Sequence, residues 1–330
     1  MGLFHDTIII GGGCTGLATA MYAGRLGLKT LLLAGNIGGT ITTTDNVENY
    51  PGFIRLTGQE LADKLREHAE DYKEFVTIVK DFATDVKKVD NLFSICTKDN
   101  CYMGKTVIFA TGTKSRELDV PGNNQYRNKG AHYCALCDGY FYKGKITAVV
   151  GGSDSAAKEA LVLAQLSKKV YIIYRREKIR AEPVNAKRVE EMVKKGKIEI
   201  ITNTNVVEIK GDGSKVTSVV LDNPYKGSKA LPLDGLFISI GLIPLSDLAK
   251  KVGVATNKKD EIIIDKESKT NVAGVYAAGD VADTKFKQAI TGVAEGVAAA
   301  YEVYEYVNKQ LVIPQQSRET GKGKKKSKKK

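Results

Sequence analysis

Cys134 and Cys137 stand two residues apart, and Asp138 follows at once. A two-residue gap lets the thiols close a reversible disulfide, and the motif draws the first thiol toward thiolate. A carboxyl beside such a pair can move the proton that disulfide reduction requires. The plainer role for an acid ahead of Gly139 is to start a turn. A C-x-x-C can also be half of a zinc site, but a closed site needs four ligands. The chain has three histidines, His5, His68 and His132, and none sits near another. Cys96 and Cys101 would be the remaining partners for a four-cysteine knuckle. Redox chemistry is the stronger reading, and no metal is expected.

Two glycine-rich turns bracket this dithiol and must position its reaction partners. Residues 7–10 form a short apolar strand, followed by Gly11-Gly12-Gly13-Cys14-Thr15-Gly16 and a helical pattern over 17–26. Strand, G-x-G-x-x-G and helix in that order mark a dinucleotide site. Gly11 permits the tight turn, Gly13 lets a pyrophosphate approach the backbone, and Gly16 allows helix against strand. The helix N-terminus turns its positive end to the phosphates. The next strand, 29–33, ends in Ala34-Gly35 with no acid for a ribose hydroxyl, which weakens a plain NAD reading.

The design repeats with a strand over 146–150, the turn Gly151-Gly152-Ser153-Asp154-Ser155-Ala156, a helix over 157–166 and a strand over 170–174. That last strand delivers Arg175 and Arg176, with Arg180 about one helical turn later. An acid here favours a free 2′-hydroxyl, whereas arginines accommodate a 2′-phosphate, and the guanidinium fork suits phosphate. The pattern therefore selects NADPH; the bland alternative is a basic face. Hydride from the second nucleotide must reach a redox group held by the first, and flavin is the cofactor that turns a hydride donor into a dithiol reductant.

At 330 residues the chain accommodates two domains of ordinary size. No run of eighteen apolar residues occurs, and the N-terminus lacks the basic flank and apolar stretch of a signal peptide, so a cytosolic protein without a membrane span is expected. Five cysteines, an odd number, argue against a secreted disulfide framework. Cys96 and Cys101 flank a four-residue hairpin turn, where directly opposite residues could be bridged. Cys14 is either a small buried residue at a helix start or, by its place at a helix N-terminus, an oxidation-prone thiol. Arg318 and seven lysines against Glu319 leave residues 317–330 at +7, so the rest of the chain carries only +5 of the +12. Such a block reads as a disordered tail, and no element specific for nucleic acid accompanies it.

Taken together, these motifs give the chain a close resemblance to the low-molecular-weight thioredoxin reductases, from about residue 7 to residue 307. The resemblance is carried by Gly38-Gly39-Thr40, Val47-Glu48-Asn49-Tyr50-Pro51-Gly52, Ala110-Thr111-Gly112 and the Cys134–Gly139 motif. Arg175-Arg176 with Arg180, Gly274 through Asp280, and Gln288-Ala289-Ile290 complete it. It implies an α/β fold of two Rossmann-like nucleotide-binding domains of the three-layer ββα type, the second inserted into the first. An FAD domain of residues 1–117 and 246–316 would be interrupted by an NADPH domain of 118–245.

The same resemblance implies FAD contacts from Gly11, Gly13, Gly16, Gly38, Gly39, Thr40, Asn49, Thr111, Gly112, Gly279, Asp280, Gln288 and Ala289. NADPH would meet Gly151, Ser153, Asp154, Ser155, Arg175, Arg176, Arg180 and Gly241. Cys137 would be the flavin-side thiol, Cys134 the thiol that attacks the protein substrate, and Asp138 the acid/base. A homodimer, a thioredoxin or glutaredoxin-like partner and a rotation of the NADPH domain are implied as well. The chain departs from the family pattern at Thr40 for glutamine, Lys287 for arginine, Ser153 for the middle glycine and Tyr174 for histidine. Two rivals share the fold: a small-molecule dithiol oxidase, which has no use for the arginines, and a ferredoxin- or flavin-type NADP reductase, which lacks the dithiol.

Overall fold

The computed structural model describes residues 4–44 and 47–309. The last residues expected for the outer domain, 310–316, and the basic tail 317–330 lie outside the described residues. β1 (His5–Ile10) runs through the first glycine turn into α1 (Cys14–Arg25), and β2 (Thr30–Leu33) follows. α2 (Gly58–Glu70) opens on a capping box: Thr57 Oγ1 accepts from the Glu60 N–H at 3.1 Å, and the Thr57 N–H donates to the Glu60 carboxylate at 2.7 Å. Then come β3 (Val76–Val79), β4 (Asp85–Val89), β5 (Leu92–Cys96), β6 (Cys101–Phe109) and the short β7 (Thr113–Ser115).

The chain continues through α3 (Asn123–Tyr126), β8 (Ala131–His132), α4 (Ala135–Asp138), β9 (Ile146–Val150), α5 (Asp154–Leu166) and β10 (Lys169–Ile173). After α6 (Pro183–Lys194) and β11 (Ile198–Ile201) it forms an antiparallel meander of β12 (Val206–Gly211), β13 (Val216–Tyr225) and β14 (Ser228–Pro232). β15 (Gly235–Ile238) and β16 (Leu242–Pro244) lead back to α7 (Asp247–Lys250), β17 (Val275–Ala277) and α8 (Ala289–Lys309).

Two Rossmann-like sheets result. The first runs β3-β2-β1-β6-β5-β4, with β17 added beside the end of β6. The second runs β11-β10-β9-β15-β8, and every pairing in it is parallel. Parallel strands covered on both faces read as nearly continuous apolar runs, and the wholly buried Ile8-Ile9-Ile10 and Ala148-Val149-Val150 fit that rule. Leu17 and Ala20 of α1 meet Ala299 and Val303 of α8 over Ile9 and Ile108, which seats both helices on one face of the first sheet.

The helix after each glycine turn begins earlier than its apolar period suggests, at Cys14 and at Asp154. The polar residues that end each turn form the helix's first turn, and a 3.6-residue hydrophobic period does not register them. The expected hairpin is present, with Cys96 and Cys101 directly opposite and joined by a disulfide at a Cα separation of 4.0 Å. Among the described residues no cluster of three or more His, Cys, Asp or Glu side chains is arranged to hold a metal ion, and no helix is long and apolar enough to cross a membrane.

Candidate active site

Cys134 and Cys137 are disulfide-bonded at the start of α4. Cys134 is the extended residue ahead of the helix, and its Sγ accepts the Cys137 N–H at 3.1 Å. The turn is held from outside as well, because the Ala135 N–H donates to the Glu159 carboxylate on α5. That bond ties a short helix of four residues to one of thirteen. Tyr140 and Phe141, just beyond Asp138, are exposed at 70% and 68%, an unusual amount of apolar surface beside a reactive group.

Asp138 has a buried histidine beneath it. His132 Nδ1 stands 3.0 Å from an Asp138 carboxylate oxygen, a close polar contact that is poorly aligned for a hydrogen bond. The other ring nitrogen, Nε2, is 2.7 Å from the Tyr142 hydroxyl. His132 stacks on Phe237 with centroids 5.3 Å apart, and Tyr142 meets both rings edge-on. Burial pushes the His132 pKa down against the opposing pull of Asp138, so the ring is held neutral. Burial also pushes the Tyr142 phenol up to about 12.

A cleft of about 1950 Å³ runs between the two sheets. One drug-sized pocket is about 300–1,000 Å³, so this space accommodates two nucleotides. From the first sheet's side it is lined by Gly11, Gly13, Gly38, Gly39, Thr40 and Asn49, with Thr111, Gly112, Asp280, Gln288 and Ala289. From the second it is lined by Cys134, Ser153, Ser155 and Gly241. Gly16, Gly279, Gly151, Asp154, the three arginines, Cys137 and Asp138 lie outside the lining, as does the Cys96–Cys101 bridge.

The first turn fits a dinucleotide on geometry. Gly11 has φ +117°, and a Cβ there would meet the Ala110 carbonyl oxygen at 2.2 Å. A Cβ on Gly16 would lie 1.8 Å from the Gly11 carbonyl oxygen, so helix and strand approach as closely as backbone allows. Gly13 faces open space, its nearest neighbour in that direction being the Gly38 carbonyl oxygen at 3.9 Å. No side chain caps α1 and no acid occupies its first turn, which leaves its N–H groups for an anion.

The second turn differs in one respect. Ser153 caps α5, its Oγ accepting the Ala156 N–H at 3.5 Å, so part of the N-terminal donor set is already engaged. Asp154 acts as a strut: its carboxylate accepts from the Glu182 N–H at 2.8 Å and from Asn185 at 2.9 Å, and pairs with Lys158 at 3.0 Å. Arg175 and Arg176 are exposed just past β10. Arg180 is drawn beside them because its N–H donates to the Gly152 carbonyl at 2.6 Å and its Nε donates to the Tyr174 hydroxyl at 3.2 Å. Arg180 is thus fixed beside the turn, while Arg175 and Arg176 follow the end of β10 in sequence.

Burial pushes the Asp280 carboxyl up, opposed by Lys287. Lys287 Nζ donates to the Asp280 carbonyl at 2.8 Å and pairs with Glu261 at 3.0 Å, so it anchors the loop carrying Asp280. Side chains join the two halves of the cleft. Arg188 on α6 pairs with Glu48 at 2.9 Å, and the Gln288 Nε2 reaches Glu182 at 3.5 Å while its Oε1 accepts from Asn49 at 2.9 Å. Cys14 is buried, and desolvation raises its pKa to about 11, overriding the helix N-terminus; it is a neutral thiol, and the oxidation-prone alternative falls. Sequence reasoning gave no role to His132, Tyr142, Glu159 or Glu261, although a histidine two residues before a C-x-x-C was a signal within reach.

The model of the pyridine nucleotide-disulphide oxidoreductases matches residues 5–296. The chain belongs to that family. Within it, the thioredoxin reductase of Listeria innocua is 37% identical over 309 residues, 92% of this chain and 94% of the relative. A Pseudomonas fluorescens protein named glucosaminate ammonia-lyase is 38% identical over 308 residues, 91% and 95% of the two chains. The crystal structure of Lactococcus lactis thioredoxin reductase in its FR conformation superposes with a TM-score of 0.87 at 37% identity, covering 92% of this chain and 99% of that one.

Proposed function

We propose that this family member is an NADPH-dependent thioredoxin-disulfide reductase that holds FAD in the first glycine turn and NADPH in the second. FAD is assigned to residues 1–117 and 246–316, and NADPH to 118–245. Bound flavin supplies the conversion of a hydride donor into a two-electron reductant. The protein's own residues do the rest: α1 presents N–H groups to the pyrophosphate, Asp280 and Gln288 hold the flavin, and Cys134/Cys137 carry the electron pair outward as a dithiol. Asp138 carries the proton that leaves or joins the thiols. The exposed Tyr140 and Phe141 suit a protein substrate, thioredoxin or a glutaredoxin-like partner, and the working form is a homodimer.

The observation that carries this reading is the shared cleft, which brings Cys134 and both glycine turns to one space. The arginines around β10 favour it over a dithiol oxidase, which needs no 2′-phosphate site. The relative named as a lyase makes the test necessary. Anaerobic NADPH added to the purified protein should bleach the flavin absorption; a flavin that stays oxidised with NADPH but is bleached by a dithiol refutes the reductase reading. Cys137→Ser should abolish thioredoxin turnover while NADPH-to-dye transfer persists, and unchanged turnover removes the dithiol from the pathway.

A further inference from the structure

We infer that His132 is a positioning residue for the proton-carrying carboxyl, linking Tyr142 to Asp138 in a three-residue relay behind the dithiol. The inference rests on the assignment of Asp138 as the proton carrier. Its geometric basis is the placement of one fully enclosed ring between two polar groups, the Asp138 carboxylate 3.0 Å from Nδ1 and the Tyr142 hydroxyl 2.7 Å from Nε2.

The tautomer follows from what each partner can do. An ionised carboxylate only accepts, so the proton of the neutral ring belongs on Nδ1. Nε2 is then an acceptor, and the Tyr142 phenol, kept protonated by burial, donates to it. Phe237 packs flat against the ring and fixes its plane. The relay therefore has one direction, Tyr142 O–H donating to Nε2 and Nδ1–H turned toward Asp138 in a 3.0 Å polar contact that is not aligned as a hydrogen bond. A base whose partner is oriented by a third group is the arrangement that makes hydrolytic triads work.

Other charged groups near the relay are accounted for. Asp234 lies close enough to Tyr142 to act on it electrostatically, but its carboxylate is taken by the Ile146 N–H at 2.9 Å. Lys145 sits over the Tyr142 ring at 5.5 Å. Glu159 is engaged by the Ala135 N–H. Asp138 is thus the carboxylate placed against the histidine.

Opening the Cys134–Cys137 bond to two thiols takes the hydride of NADPH, which is two electrons and one proton, and one further proton. Asp138 gives that further proton to a thiolate and returns to the carboxylate form, which faces the Nδ1–H at 3.0 Å until it is reprotonated from solvent. Without His132 the carboxyl is free to turn away, and loss of a donor to its ionised form favours the protonated one.

The test compares His132→Phe, which keeps the ring packing, with His132→Asn, whose amide N–H falls where Nδ1 stood, and with Asp138→Asn. General acid–base groups contribute typically 100-fold or more, so Asp138→Asn should cut thioredoxin turnover about 100-fold and His132→Phe about 10-fold. His132→Phe should also move the alkaline limb of the kcat profile to higher pH, since the proton-giving form of Asp138 is then favoured, and His132→Asn should restore both. Anaerobic flavin reduction by NADPH should be unchanged in all three, which separates the relay from general damage. An unchanged pH profile in His132→Phe beside an inactive Asp138→Asn overturns the relay alone. Full turnover in Asp138→Asn overturns the assignment beneath it. Should His132→Phe not fold, Tyr142→Phe decides: it should shift the alkaline limb in the same direction, and an unmoved limb refutes the relay.

Discussion

Replacing Arg175 and Arg176 together with alanine tests the assignment of the second nucleotide most directly. Both side chains are exposed and lie past the end of β10, so their removal leaves the sheet intact. A hydrogen bond to a charged group contributes about 1.5–3 kcal/mol, and solvent exposure argues for the lower end, giving about 3 kcal/mol for the pair. At 1.4 kcal/mol per tenfold, that is a loss of roughly 150-fold in kcat/KM for NADPH. Arg180 stays in place through its bonds to Gly152 and Tyr174, so some preference persists. NADH has no 2′-phosphate and should change less than about twofold, since only the phosphate contact is lost. Steady-state kinetics with both nucleotides at fixed thioredoxin gives the ratio, and raising the salt should shrink the difference because exposed charges are screened. A fall of the NADPH/NADH ratio by less than fivefold, or an equal fall for both nucleotides, refutes a 2′-phosphate role for the arginines.

Gly16→Ala drives a methyl group into the Gly11 carbonyl, so α1 must lift from β1; the purified protein should carry little flavin and melt lower, as read by its visible absorption and thermal scan. Asp280 has a raised pKa in the folded chain, so its carboxyl favours folding at low pH and this contribution is lost as pH rises through the folded value. Asp280→Asn should therefore stabilise the flavin-free protein more at pH 7 than at pH 4 while weakening flavin retention, and equal melting shifts at both pH values refute the burial argument. Serine at both Cys96 and Cys101 removes a bridge that closes a short loop, a loss of about 2 kcal/mol by chain entropy. Melting should fall under non-reducing conditions with turnover unchanged, since neither residue lines the cleft.

What was legible in the sequence was what is local. Strand, glycine turn and helix form a contiguous signal, so both turns lie where the periodicity places them, each between its strand and its helix. The Cys96–Cys101 pairing was readable for the same reason, being a hairpin. Cys14 shows where local reasoning stops: the helix end lowers a thiol's pKa, but burial by the loop around Val47 and Leu56 wins, and that burial is a tertiary fact. Glu159 bonding to Ala135, Lys287 to Glu261 and Arg188 to Glu48 join residues 24 to 140 apart, with no periodicity to reveal them.

The chain enters and leaves the second sheet through β7 and β16, and these strands pair with each other, Thr113 opposite Pro244 and Ser115 opposite Leu242. Everything between them is therefore, to the first sheet, an outsized turn on a two-stranded ribbon whose ends are about 5 Å apart. Closing such a turn costs little more when it is long, about 0.6 kcal/mol per doubling. The outer sheet can thus assemble before the inserted one is complete. One narrow ribbon carries both crossings, so the strand pairing within each sheet is independent of the other sheet.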